Sequence, residues 1–211
     1  MPIICFFGSD GSGKTTLSRF LAERLKDDEF KVKLSWMRGT HTLASVLALF
    51  FSKCKVFQGS DNPYYKIAVP KPLRRLWQLI EFVSMLPVLL AKFLLPNAFG
   101  YTVIAERYLL DFVAWVATTT NNQGYLKSLD AHFLIALTFK ATVRVYVTAD
   151  FSELVRRRAD TSPVFIRNQQ KLYCKLATAV DAYTLDTTNK SVNESAVMLF
   201  AFVKQTLERA I

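Results

Sequence analysis

The sequence predicts an α/β chain: a mostly parallel sheet of about five strands with helices on both faces. Three observations carry this. Short apolar runs alternate along the chain with longer stretches in which apolar residues recur at helical spacing. The first apolar run ends at a glycine and leads directly into a helical pattern. The composition, 211 residues of which 51% are hydrophobic and 21% charged, suits one compact domain spanning the whole chain with a sizeable core. Seven Gly and seven Pro are too few for a low-complexity or disordered chain.

Pro2 to Phe7 is nearly continuous in apolar residues, as a strand buried on both faces is. Lys14 to Lys26 follows as a helix with Leu17, Phe20, Leu21 and Leu25 on one side. Phe30 to Trp36 alternates Val32, Leu34 and Trp36 with lysines and serine, the pattern of a second strand. Thr42 to Phe51 is helical, and Lys55 to Lys71, with Gly59, Asn62 and Pro63, reads as the one long loop. Pro72 suits the first turn of a helix over Leu73 to Leu95, which Pro87 should bend. Tyr101 to Ala105 is a third strand with a β-branched centre, leaving into Glu106-Arg107-Tyr108. Helices are expected at Leu109 to Thr119, Leu126 to Phe139 and Val192 to Ala210, and further strands at Val143 to Thr148 and Tyr183 to Asp186.

Gly8-Ser9-Asp10-Gly11-Ser12-Gly13-Lys14-Thr15 matches the Walker A pattern and lies between a strand and a helix, as that pattern must. Three of the seven glycines fall within these eight residues. They let backbone N–H groups turn inward around phosphate oxygens, Lys14 reaches the β and γ phosphates, and the Thr15 hydroxyl takes a magnesium position. The helix N-terminus, including Thr16, adds donors and its dipole. The predicted fold is therefore the three-layer P-loop NTPase fold. The chain has no Asn-Lys-x-Asp, which argues against a GTPase.

Glu106-Arg107 sets a carboxylate and a guanidinium at the carboxyl end of the third strand, the edge where such sheets bind ligands. Glu106 suits a magnesium-bound water, and the planar fork of Arg107 suits an acceptor phosphate. Phe82 and Trp77 lie at helical spacing and serve either to stack on a base or to fill a core.

On these residues the chain resembles the thymidylate kinase family of nucleoside monophosphate kinases, with a pattern like that of its archaeal members. Phe7 to Thr16 resembles the family's phosphate loop, with Asp10 where an acid holds the acceptor sugar. Glu106-Arg107-Tyr108 resembles its Asp-Arg-Tyr/His motif, and Leu154-Val155-Arg156-Arg157-Arg158 the start of its lid, here short and placed near 156–170. The resemblance implies transfer of the ATP γ-phosphate, with Mg2+, to dTMP or a related deoxynucleoside monophosphate. Lys14 and Arg107 would act in catalysis along with Arg156, Arg157 and Arg158, of which only one or two can face the site at 100° per residue. Arg38, Arg107, Asp10, Phe82 and Tyr108 would bind the acceptor, and Thr15 and Glu106 the metal. The family's Arg-Glu-Pro-Gly is here Met37-Arg38-Gly39-Thr40-His41, and no arginine stands between Leu76 and Ala91 where the family reads thymine, so the acceptor base is left open. A glutamate at 106 is also found in the Glu-Arg-Ser motif of deoxynucleoside kinases, the alternative reading.

Charge and cysteines add partners and setting. The net charge is +10, and ten of the basic residues against two acidic ones lie between Lys31 and Lys92. That excess suits anionic partners, and besides nucleotides it leaves contact with nucleic acid or a membrane surface open. The apolar stretch Leu79 to Tyr101 is interrupted by Glu81, Pro87 and Lys92, which favours a buried core helix over a membrane span. It and Leu109 to Thr119 are also candidate homodimer surfaces. Cys5, Cys54 and Cys174 are odd in number and widely spaced, so a reduced, cytoplasmic setting is expected, without a signal peptide.

Overall fold

The computed structural model describes residues 1–59, 61–62, 64–159 and 161–210. Strands β1 (Ile3–Phe7), β2 (Val32–Trp36), β3 (Thr102–Arg107), β4 (Val143–Thr148) and β5 (Tyr183–Asp186) form one sheet in the order β2-β3-β1-β4-β5. All four pairings are parallel. β1 is central, with Ile4 registered against Ile104 on one side and Val143 on the other. The chain runs outward from β1 on one side of the sheet and returns to extend the other. This reversal opens a crevice at the carboxyl ends of β1 and β3.

Every residue of β1 is buried because both faces of the sheet are covered. On one face Ile4 and Phe6 meet Leu17 and Leu21 of α1 (Lys14–Asp27) and Leu199 and Val203 of α9 (Val192–Ala210). On the other, Cys5 and Phe7 meet the layer made by α3 (Arg74–Leu89), α5 (Leu109–Thr119) and α8 (Pro163–Ala179), through Met85, Phe112, Val116, Tyr173 and Leu176. Burial of each such side chain contributes about 1.5–3 kcal/mol. Truncating fully buried Leu21 to Ala removes that and leaves a cavity, a loss of roughly 2–5 kcal/mol.

The structure departs from the sequence expectations in particular places. β3 continues through Glu106 and Arg107, so both side chains are held by the sheet. On edge strand β2 the alternation is reversed: Ser35 is buried while Leu34 and Trp36 are more than a third exposed. The expected loop after α2 (Thr42–Phe51) contains a short 3-10 turn at Lys55–Phe57 and a bridge between Gln58 and Ile67. Its Phe57, Ile67 and Val69 form a small core with Ala48 and Trp77. Pro63 of that loop lies outside the described residues. The expected helix from Leu126 is split into a 3-10 turn, Gln123–Lys127, and α6 (Leu129–Thr138), because the Ser128 hydroxyl caps the new helix by accepting from Ala131 N. Two helices, α7 (Phe151–Arg157) and α8, bracket the segment taken as lid, and α8 has no place in the sequence reading.

The helix after Pro72 runs through Pro87 and then widens into a π turn at Leu90–Leu94 before α4 (Leu95–Ala98). Pro96 explains the widening. It has no N–H for the Lys92 carbonyl, and in an α register its ring would press on that oxygen. The carbonyl accepts instead from the Ser35 hydroxyl at 2.8 Å, which is why a serine is turned inward on β2.

The expectation of a buried core helix is corrected. Lys71–Ala98 is long and apolar enough to cross a membrane by length and composition, yet only 28% of its most apolar window is buried. Its inner face carries polar groups bonded to the rest of the chain. Gln78 donates to Thr120 Oγ1, and Ser84 receives Thr42 Oγ1 at its carbonyl and Ala44 N at its hydroxyl. Its outer face, Leu76, Leu79, Val83, Leu86, Leu90 and Leu94, is apolar and exposed. This is the inverse of an ordinary surface helix.

Candidate active site

The phosphate loop leaves β1 at Gly8 and enters α1 at Lys14. Gly8, Gly11 and Gly13 have φ of 143°, 85° and 97°, a run that turns their amides inward. At Gly8 no other residue fits, since a Cβ there would lie 2.1 Å from the Val147 carbonyl oxygen. No side chain caps α1, so its first amides face the crevice. Lys14 is buried, and its Nζ donates to Ser9 O at 2.6 Å and Ser12 Oγ at 3.3 Å. Burial and the neighbouring Arg107 bring the amine down to about 7. Thr15 Oγ1 donates to Glu106 Oε1 at 2.5 Å, bringing a hydroxyl from the first turn of α1 and a carboxylate from the end of β3 to one point.

A second cluster lies beside the loop. Arg38, carried on the chain leaving β2, donates to Asp10 Oδ1 at 2.6 Å, and Arg107 from β3 donates to the same oxygen at 2.5 Å. Arg107 also donates to Asp111 Oδ1 at 2.9 Å, which accepts the Tyr173 hydroxyl at 2.8 Å. Burial alone would raise the Asp10 carboxyl, but Arg38 and Arg107 hold it well below the usual carboxylate range. Fully buried Asp111 goes the other way, pushed up by desolvation although Arg107 opposes this. Two carboxylates thus face two guanidiniums and the Lys14 amine, which mutually repel, and an added dianion relieves that repulsion. Arg38 further lies 5.6 Å from the Trp115 ring, on which Tyr64 stacks at 5.1 Å.

Of the three successive arginines, Arg157 reaches the loop. It donates to Gly11 O at 3.2 Å and to Thr187 Oγ1 at 3.1 Å, with Glu153 bonding its Nε. Arg156 is corrected: it is solvent-exposed and paired with Glu153, away from the loop. The Arg158 stem lies against Gly11, where a Cβ would be 2.9 Å from its Cγ. A cleft of about 270 Å3 opens beside the loop, lined by Gly11, Gly13, Thr16, Arg157, Thr187 and Lys190. Ser195, whose buried hydroxyl has no partner, also lines it. Larger clefts of about 700 and 760 Å3 lie elsewhere and include no phosphate-loop residue, so chemistry rather than size locates the site.

Two acceptor candidates do not join it. Phe82 packs edge-on against Phe133 at 6.2 Å, between α3 and α6. Tyr108 is turned into the core against Phe93 at 5.0 Å. Asp160, within the expected lid, lies outside the described residues. Sequence reasoning assigned no role to Asp111, Tyr173, Thr187 or Gln169, whose Oε1 accepts from Asp10 N at 3.3 Å. Asp111 follows Arg107 by four residues, in the first turn of α5, the one signal that marked it.

The sequence matches no family model and no curated protein. The fold does match solved structures. The thymidylate kinase from Candida albicans superposes with a TM-score of 0.67 at 14% identity, covering 97% of this chain and 91% of that one. The chain has a thymidylate kinase fold. The thymidylate kinase from Ehrlichia chaffeensis superposes with a TM-score of 0.58 at 17% identity, covering 96% and 98%. Both matches span nearly the full length of this chain.

Proposed function

We propose that this chain is a thymidylate kinase-like nucleoside monophosphate kinase that moves the γ-phosphate of ATP to dTMP or a related deoxynucleoside monophosphate. The observation that carries it is the convergence of Arg38 and Arg107 on Asp10 beside a Walker A loop. Two guanidiniums aimed at one point beside a donor cradle form an acceptor-phosphate site. An oxygen of the acceptor phosphate attacks the γ-phosphorus in line, that bond forms as the bond to the ADP leaving oxygen breaks, and no strong base is needed. Lys14 holds the donor phosphates, and Arg157, whose guanidinium bonds the Gly11 carbonyl, meets the charge that spreads over the transferred group. The cleft lined by Thr16 and Thr187 takes the donor nucleoside. The hydroxyl and carboxylate of Thr15 and Glu106 are hard oxygen donors that fit Mg2+ with nucleotide phosphates and waters completing its shell. Such an ion would neutralise charge between the β and γ oxygens.

A coupled ADP-release assay with ATP, magnesium, a panel of deoxynucleoside monophosphates, thymidine and deoxycytidine tests this. Turnover of at least one monophosphate is expected. Turnover of the nucleosides alone would instead indicate a deoxynucleoside kinase.

The partner on the outer face of α2 and α3 is, in this reading, a second copy of the chain. Leu76, Leu79, Val83, Leu86 and Leu90 follow one another at alternating spacings of three and four, the repeat of paired helices. With Leu43, Val46, Leu49 and Phe50 of α2 they expose on the order of 1,000 Å2 of apolar surface, the scale of the roughly 800 Å2 each partner buries in a stable interface. Between Leu76 and Ala91 no exposed charge interrupts the stripe. Light scattering should give a dimer mass that falls to monomer in Val83→Asp. A wild-type monomer that sediments with anionic vesicles would assign the face to lipid instead.

A further inference from the structure

One end of the helical layer combines free cations with aliphatic side chains turned outward. The carboxyl end of α2 and the amino ends of α3 and α6 meet there: the Phe51 ring lies 6.1 Å from that of Trp77, and Arg75 bonds Asp130 at 2.7 Å. From Lys53 to Arg75 the chain has six basic residues and one acid, Asp61. Among the described residues, Lys53, Lys55, Lys71 and Arg74 form no ion pair. This end therefore keeps most of its positive charge, and none of these four cations has a part in the phosphate sites.

Three separate segments repeat one pattern at this end, an exposed aliphatic residue close to a cation. Val56 follows Lys55, Leu73 stands between Lys71 and Arg74, and Leu129 is two residues from Lys127, with all three lysines exposed. Local structure turns the aliphatic residues outward. Phe57 stacks on Phe51 at 4.4 Å to close the small core, so Val56 beside it in the 3-10 turn is left 72% exposed. Ser128 caps α6 while Asp130 and Ala131 face inward, which leaves Leu129 85% exposed. The core needs no apolar side chain at either position, so what these residues meet lies outside the chain.

We propose that this end docks on an anionic membrane surface, with Val56, Leu73 and Leu129 entering the boundary of the acyl chains and the surrounding lysines and arginines meeting lipid phosphates. Lysine and arginine stems are long enough to leave the charge among the head groups while the aliphatic tips go deeper. Charge complementarity decides against a second copy here. A two-fold contact through this patch would set its cations against themselves. The docking end is thus distinct from the leucine stripe that runs on through Val83 to Leu90, and one assembly can use both. A nucleic-acid strand would be held by cations together with aromatic faces for its bases to stack on, whereas the three residues interleaved with the cations here are aliphatic.

The test is co-sedimentation with vesicles of phosphatidylcholine alone and of phosphatidylcholine mixed with phosphatidylserine. Wild-type protein should sediment with the mixed vesicles only, and should be released as salt is raised from about 0.1 M to 1 M. Each cation near the surface contributes about fivefold to the partition, so Lys53→Glu, Lys55→Glu and Lys71→Glu combined should lower it by about a hundredfold or more. Val56→Asp and Leu129→Asp should each lower it by about tenfold. These positions are exposed, so Tm should stay at the wild-type value. Folded wild-type protein that ignores the mixed vesicles would overturn the proposal. So would a folded triple variant that sediments as well as the wild type, or binding that is lost in Val83→Asp and kept in the triple variant, which would move the contact to the leucine stripe. Salt-sensitive binding of DNA without binding of vesicles would give this end to nucleic acid instead. The lipid and salt dependence of the wild type decides even if a variant does not fold.

Discussion

The donor and acceptor halves of the crevice are built in opposite ways. The donor half is eight consecutive residues whose working groups are backbone amides, so its shape depends on the φ of Gly8, Gly11 and Gly13. The acceptor half is an assembly of side chains, Arg38, Arg107, Asp111 and Tyr173 gathered around Asp10, contributed by three strand ends and by α5 and α8. A backbone cradle binds one chemical group and admits little variation. A side-chain assembly can change its ligand by a single substitution without disturbing the sheet. The contrast predicts that catalysis is lost most completely by changes to the first half, and that selectivity is set by the second.

The largest effect is expected for Lys14→Ala, with kcat/KM falling by at least about a hundredfold for every acceptor alike. Survival of near-original turnover would break the donor assignment. Arg107→Lys comes next. A lysine keeps the charge but cannot bond Asp10 and Asp111 together, so a loss on the order of tenfold to a hundredfold is expected, mainly in the acceptor KM with the KM for ATP little moved.

Glu81 gives a stability signature of intermediate size. Its folded value of about 7 lies above its ordinary 4.5. Its contribution is therefore fully present below pH 4.5 and is lost as the pH rises through 7, a span of roughly 3 kcal/mol. Glu81→Gln should flatten that part of the Tm-against-pH curve; an unchanged slope would place the titration elsewhere. Lys14 gives a smaller effect of opposite use. Its amine is brought down to about 7, and bound phosphate should restore the proton. ATP binding between pH 7.5 and 8.5 should thus take up part of a proton and weaken as the pH rises, measurable by calorimetry in buffers of different ionisation enthalpy. Arg156→Ala, which removes only an exposed pair with Glu153, should change kcat/KM less than about twofold.

The same contrast explains what was legible in the sequence. The five strands and the loop from Gly8 to Thr15 are local patterns, readable from spacing alone. Glu106 and Arg107 were legible because they adjoin a strand end. Asp111 and Tyr173 were not, because nothing in their own neighbourhoods marks a partner 62 residues away. α8 went unread because Pro163 and the amides around Gln169 look like a loop. Yet Ile166, Gln169, Leu172, Tyr173 and Leu176 are its buried face at helical spacing. Apolar content misled at α3, where composition suggests a core helix and the leucines face outward, because periodicity marks a stripe without saying what covers it.

The π turn at Leu90–Leu94 carries a consequence for chain length. Leu95 N bonds Leu90 O, five residues back, so the turn holds one residue more than an α-helix would. Deleting any one residue there would restore the α register and rotate everything beyond it by about 100°. Pro96 would then lose its accommodation, Ser35 its acceptor, and the outward stripe its continuity past Leu90. Substitutions in this turn should be tolerated where they keep an apolar surface, whereas a single-residue deletion should not. At this point the number of residues, more than their kind, is what the fold reads.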